Sequence, residues 1–177
     1  MKGLIQIYCG DGKGKTTAAI GQAVRSAGAG LSVIFSRFLK TEDSGELAIL
    51  KEVPGITMVP CRKSFGFFFQ MTEAEKQEAA QVYQEVLDRA VSLASEAAGE
   101  GDTLLVMDEI IATYRYGLVD REKLTAFLRD KPENLEVVMT GRDPAQELVS
   151  LADYVSEIKK IKHPFDRGIC ARRGIEF

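Results

Sequence analysis

The segment Gly10-Asp11-Gly12-Lys13-Gly14-Lys15-Thr16-Thr17 follows a short apolar run, Gly3–Cys9, and opens a stretch of helix-forming composition from Lys15 to about Ala27. A glycine-rich turn ending in Lys-Thr at a strand-to-helix junction has the make-up of a phosphate cradle. Its glycines let backbone N–H groups turn inward, the helix N-terminus adds positive potential, and Lys15 brings a full charge. Thr16 offers its hydroxyl to Mg²⁺. The match to G-x-x-x-x-G-K-[ST] lacks its first glycine, because Cys9 stands there, and Gly10 and Gly12 are expected to compensate. The bland alternative is a glycine-rich turn with a surface lysine, which the flanking strand and helix disfavour. Lys13 is left open between phosphate and solvent.

The pattern beyond this loop is alternating. Apolar runs rich in β-formers recur at Leu31–Phe35, Ile56–Pro60, Thr103–Met107 and Leu135–Met139, separated by helical stretches. A short helix is expected around Leu47–Glu52, and a long one after Thr72, where Glu75 three residues on completes a capping box. Along that long helix Ala79, Val82, Val86, Ala90, Leu93 and Ala97 are spaced by three and four, which predicts one buried face ending at Gly99 and Gly101. A last helix runs through Leu151. Near-continuous apolar strands alternating with helices imply a three-layer α/β fold with a mainly parallel sheet covered on both faces. Ligands then belong at the carboxyl ends of the strands. With 177 residues, no repeat and no low-complexity linker, one domain over 1–177 is expected.

Charge and cysteine content narrow the chemistry. A net charge of −3 argues against general affinity for nucleic acid, and no run is apolar enough to predict a membrane span. Met1 and Lys2 lead straight into the first strand without the apolar region of a signal peptide, so a cytoplasmic location is expected. Three cysteines without a CxxC pair suggest neither a disulfide framework nor a zinc site. Cys9 and Cys61 are read as structural thiols. A single histidine, His163, leaves little material for a Ser/His nucleophile.

Two other strand ends carry candidates. Asp108-Glu109 follows the run TLLVM and could complete a Mg²⁺ site, since a hard cation needs one or two carboxylates when phosphates supply further oxygens. The same pair could instead cap a helix N-terminus, and both readings stay open. Arg142, in the Thr140-Gly141-Arg142 loop after LEVVM, can meet a polyphosphate with a two-pronged guanidinium or form a surface ion pair. The run Ser64–Gln70, SFGFFFQ, shows no strand alternation, and its phenylalanines are open between packing and ligand contact.

Taken in order, GDGKGKTTAAIGQAVRSAGAG, FLK with DSGE, the DE after LLVM, TGRDP and the tail ADYVSEIKKIKHPFDRGICARRGIE resemble the ATP:corrinoid adenosyltransferase family over nearly the whole chain. The family's loop also lacks the first glycine. The resemblance implies a RecA-like P-loop NTPase fold, a homodimer, and transfer of the adenosyl group of ATP to the Co(I) of a reduced corrinoid, with a flavin or flavoprotein as electron donor. It further implies that Gly10, Asp11, Gly12, Lys13, Gly14, Lys15, Thr16 and Thr17 hold the triphosphate, with Arg142 as another phosphate contact. Thr16 and Glu109 would hold Mg²⁺ with Asp108 supporting, and Lys15, Thr16 and Glu109 would carry catalysis. Phe67 and Phe69 match the aromatic pair that presses on the corrin. Arg25 is a lesser candidate, and a solvated helix position is the better explanation of it. Lys162, His163 and Phe165 are read as packing or dimer contacts. Ser36-Arg37-Phe38 stands where relatives often have glutamine before the phenylalanine, and where some relatives carry a basic N-terminal extension the first strand is expected here from Gly3. Because cobalt is itself the nucleophile, a chain poor in histidine suffices. A P-loop phosphohydrolase or kinase is the alternative from another reaction class, and a nucleotide-binding regulatory module is a third.

Overall fold

The computed structural model describes residues 1–40, 44–66 and 68–176. Its strands are β1 (Ile5–Cys9), β2 (Ser32–Arg37), β3 (Ile56–Met58), β4 (Thr103–Asp108), β5 (Leu135–Thr140) and β6 (Tyr154–Glu157). The helices are α1 (Lys15–Gly28), α2 (Glu46–Leu50), α3 (Glu73–Ala98), α4 (Ile110–Arg115), α5 (Arg121–Asp130) and α6 (Gln146–Leu151). The strands form one six-stranded sheet in the order β3-β2-β4-β5-β1-β6, and every pairing is parallel.

The period of two along each strand divides the core between two faces. Val33, Phe35, Leu104, Val106 and Val138 pack with Ala19 and Ala23 of α1, whose small side chains let that helix lie close. Ile34, Leu105, Met107, Val137 and Met139 point the other way, into a larger cluster with α3 and α4. The three-layer expectation is met. None of the described helices is long and apolar enough to cross a membrane.

Helix α3 begins as expected: Thr72 Oγ1 accepts from Glu75 N at 3.2 Å, and the Glu75 carboxylate accepts from Thr72 N at 2.7 Å. Its buried face differs from the expected one at the far end. Ala79, Val82, Val86 and Ala90 are buried, but Ala94 and Ala98 are buried there while Leu93 and Ala97 are only half-buried, and Tyr83 and Leu87 join the face. Successive steps of four on a helix of 3.6 residues per turn carry the contact stripe slowly round the axis.

Strand β6 has no counterpart in the sequence reading. All four of its residues are exposed, so it carries no alternation of apolar and polar side chains. It is held by its backbone register on β1, from Gln6 opposite Tyr154 to Cys9 opposite Glu157.

Candidate active site

The loop after β1 is shaped by the chain that leaves β6. Ile158 N donates to the Cys9 carbonyl and Gly12 N donates to the Ile158 carbonyl, each at 2.8 Å. A Cβ on Gly10 would lie 2.4 Å from the Ile158 carbonyl oxygen, and one on Gly12 would lie 2.8 Å from it. Gly10 also has φ 105° and Gly14 φ 125°, which other residues rarely adopt. The glycines therefore serve a close backbone crossing as well as the turn. Asp11 accepts from Lys160 N at 2.9 Å, so the same segment is pinned to the loop twice over.

Lys15 is 8% exposed, and its ammonium donates to the carbonyls of Gly10 and Gly12 at 2.8 and 2.9 Å. Burial pushes its pKa down, and the nearby Glu109 carboxylate works against that shift. Its charge is thus held inside its own loop by two carbonyls.

Thr16, in the first turn of α1, donates to Asp108 Oδ1 at 3.0 Å. Asp108 is the fully buried last residue of β4, and Thr140, the last residue of β5, donates to its Oδ1 at 2.6 Å. Thr140 accepts in turn from Glu109 N at 2.9 Å. The ends of β4 and β5 thus lock onto the start of α1. Lys40, three residues beyond β2, places its ammonium 2.6 Å from Asp108 Oδ2 and 2.5 Å from Thr16 Oγ1.

The capping alternative for the acidic pair fails in the structure. Asp108 lies within the strand and bonds Thr16, Thr140 and Lys40, while Glu109 stands at the start of α4 with φ 65° and caps nothing with its side chain. Glu109 lines the phosphate-loop cleft, and burial, reinforced by Asp108, pushes its pKa up. Asp108, expected only to support, is the carboxylate that meets Thr16.

Two adjoining clefts flank these residues. The smaller, about 200 Å³, is lined by Asp11 to Thr17, Glu109, Arg142, His163, Ile175 and Glu176. Arg142 is exposed at its edge and has no ion-pair partner among the described residues. Gly141 before it has φ 148° and lies so close to Ile111 that a Cβ would be 2.7 Å from that side chain. The larger cleft, about 710 Å³, shares Thr16 and Thr17 and extends past Ile20, Lys40 and Glu46 to Ser64 and Gly66 at the start of the phenylalanine run. Such a volume lies within the range of small-molecule sites.

The phenylalanine run splits into two populations. Phe65 packs against Tyr83 with ring centroids 5.8 Å apart, and Phe68 stacks on Tyr116 at 4.1 Å with an interplanar angle of 1°. Phe69 is 80% exposed and touches Tyr116 only by its edge. Phe67 lies outside the described residues.

Sequence reasoning assigns several residues no role at the site. Lys40, Thr140, Ile158, Ile175 and Glu176 reach it from distant positions, and among them only Lys40 and Glu176 are charged. Arg172 holds the Glu176 carboxyl down at about 2 through a side-chain and a backbone hydrogen bond. His163, expected in packing, lines the smaller cleft, whereas Phe165 is exposed. Arg25 is exposed in the last turn of α1, about 15 Å along the helix from Lys15. Arg37 and Phe38 are buried, and Arg37 donates to Ser44 at 2.9 Å. Cys9 and Cys61 are buried free thiols.

A phosphate-type loop between β1 and α1, beside acidic residues at the end of β4 in an all-parallel sheet, defines the class of P-loop ATP-handling proteins. Solved structures agree on the fold: EssC (ATPases 2 and 3) from Geobacillus thermodenitrificans superposes with a TM-score of 0.51 at 13% identity, covering 97% of this chain and 35% of that one. Within that class the sequence is decisive. The profile of ATP:corrinoid adenosyltransferase BtuR/CobO/CobP matches residues 1–177, and the chain belongs to that family. It is 31% identical to the corrinoid adenosyltransferase of Escherichia coli K12 and 32% identical to corrinoid adenosyltransferase CobA of Salmonella typhimurium. Both comparisons cover 99% of this chain and 86% of the relative. The chain is thus an enzyme that transfers the adenosyl group of ATP to a corrinoid.

Proposed function

We propose that residues 1–177 act as one catalytic domain in which the smaller cleft holds the triphosphate of ATP and the larger one receives the nucleoside and the corrinoid edge. The observation that carries this reading is Thr16, which lines both clefts and bonds the buried Asp108 behind them, next to Lys15 in the smaller cleft. Lys13, Lys15 and Arg142 bring cations to one cleft, which Asp11, Glu109 and Glu176 also line, while Leu39, Ile20 and the start of the phenylalanine run border the other.

The Thr16 hydroxyl and the Asp108 carboxylate fit a divalent cation, because a lysine ammonium already sits between them as a stand-in. No cluster of three His, Cys, Asp or Glu residues exists among the described residues, so phosphate oxygens would have to supply the remaining ligands. Mg²⁺ bound there, with Glu109 alongside, would neutralise charge growing on the departing triphosphate.

In the reaction the Co(I) lone pair of the corrinoid attacks C5′ of ATP. A Co–C bond forms, the C5′–O bond breaks, and triphosphate leaves with that electron pair. The protein needs no base for this step. Its tasks are to hold C5′ towards the larger cleft, with the nucleotide reversed relative to a phosphate-transferring enzyme, and to stabilise the leaving group with Lys15 and the loop's remaining N–H groups. Exposed Phe69, together with Phe67, would press on the corrin face. The same reading takes a flavin or flavoprotein as source of the cobalt electron, a homodimer as the working form and the cytoplasm as its location.

Incubation with ATP, Mg²⁺ and a chemically reduced corrinoid should release inorganic triphosphate and yield a light-sensitive Co–C product. Release of ADP and phosphate instead would sink the reading of the two clefts.

A further inference from the structure

The ion pair at the centre of the site is unusual in its cation. Asp108 is completely buried, and a buried carboxylate is stable only when a counter-charge and hydrogen bonds compensate it. Thr16 and Thr140 supply hydroxyl hydrogens, and the compensating charge comes from Lys40, whose ammonium bonds Asp108 Oδ2 and Thr16 Oγ1 together. Thr16 gives its one hydrogen to Asp108, so Lys40 takes up an oxygen lone pair of the same hydroxyl. That lone pair and that carboxylate oxygen are what a divalent cation would need.

Lys40 is also aimed there by the backbone. Leu39, the residue before it, has φ 54°, a left-handed conformation that a bulky side chain seldom adopts. On its other side Lys40 borders the larger cleft, so its flexible stem has open space to swing into.

We infer that Lys40 is the resident cation of the Thr16–Asp108 site, and that a divalent metal enters only as it displaces this ammonium together with the incoming nucleotide. This rests on the proposed reading of Thr16 and Asp108 as the metal-facing pair. Ammonium and metal compete for the same two oxygens, and two cations side by side would repel at this separation. Metal alone faces that competition without help. Metal carried on a triphosphate brings negative charge that also receives the displaced ammonium. Lys40 is thereby a positioning residue: it keeps the buried carboxylate compensated before substrate arrives and couples metal loading to ATP.

The test uses Mn²⁺, followed by electron paramagnetic resonance, with the full-length chain, Lys40→Met and Lys40→Arg. Without nucleotide, K40M should bind one Mn²⁺ at least tenfold more tightly than the wild type, and K40R should resemble the wild type. Mn²⁺ should raise the unfolding temperature of K40M and leave that of the wild type unmoved. If K40M is poorly folded without metal, Mn²⁺ should restore it, because the divalent ion replaces the missing charge. Equal Mn²⁺ affinity in wild type and K40M, K40R binding as K40M does, or K40M that Mn²⁺ fails to stabilise would each overturn the inference. Failure of the wild type to take up Mn²⁺ even with ATP would instead strike the underlying reading of Thr16 and Asp108.

Discussion

The two walls of the site are built in opposite ways. The inner wall, Lys15, Thr16, Asp108 and Thr140, sits at the ends of α1, β4 and β5, and its polar groups are bonded to one another or to the loop. The outer wall, Arg142, Phe69, Ile175 and Glu176, comes from loops and from a C-terminal segment in which no residue from Ala152 to Glu176 is buried. The difference teaches a division of labour. On the proposed reading, the groups that meet developing charge are preorganised before substrate arrives, which is where electrostatic catalysis gains most. On the same reading, the groups that admit a nucleotide and a large macrocycle stand on exposed segments, the low-stability end of a structure from which ligand-gating elements are drawn.

If the inner wall carries the chemistry, Lys15→Ala should cost about 10²–10³ in kcat/KM even with preformed Co(I), a loss comparable to removing a transition-state hydrogen-bond donor. Steady-state kinetics checks this, and a loss below tenfold would break the contrast between the walls. Gly10→Ala should follow, destabilising the fold by about 3 kcal/mol, because the new methyl meets the Ile158 carbonyl at a left-handed backbone position. Urea unfolding measures it. An unchanged midpoint would show that the crossing of the tail over the loop is loose.

On the outer wall, Phe69→Ala should slow reaction from Co(II) about tenfold while leaving reaction from preformed Co(I) within about twofold, a selective loss of a state-specific contact. Its urea midpoint should not move, since the side chain is 80% exposed. Equal slowing from both starting states would remove the aromatic ring from the reduction step. Thr72→Ala touches neither wall and sharpens the comparison from outside: loss of the cap of α3 should cost about 1 kcal/mol of stability with activity unchanged.

How legible each part was follows the same division. The phosphate loop, the acidic pair and the TGR loop could be read because each is a contiguous run at a strand end, where glycines, charges and flanking apolar residues speak together. The capping box of α3 was equally local. The resident lysine could not be read, since nothing in FLK distinguishes an ammonium that folds back onto Asp108 from one in solvent. Strand β6 left no trace for a physical reason: an edge strand bonded only through its backbone imposes no side-chain period. The phenylalanine run was seen as a feature, but which rings pack and which stay free depended on Tyr83 and Tyr116, partners on other elements.

Short-range order along the chain therefore settled the layered α/β architecture, the phosphate loop and the family, because each is written in neighbouring residues. Contact across the sheet settled the rest: that Asp108 rather than Glu109 reaches Thr16, that Ile158 demands glycine at positions 10 and 12, and that the Lys40 ammonium bonds both Thr16 and Asp108. These pairings join residues up to about 150 positions apart in the chain. Only a packed sheet brings such residues within hydrogen-bond distance, and only burial there makes an uncompensated charge too costly to leave alone.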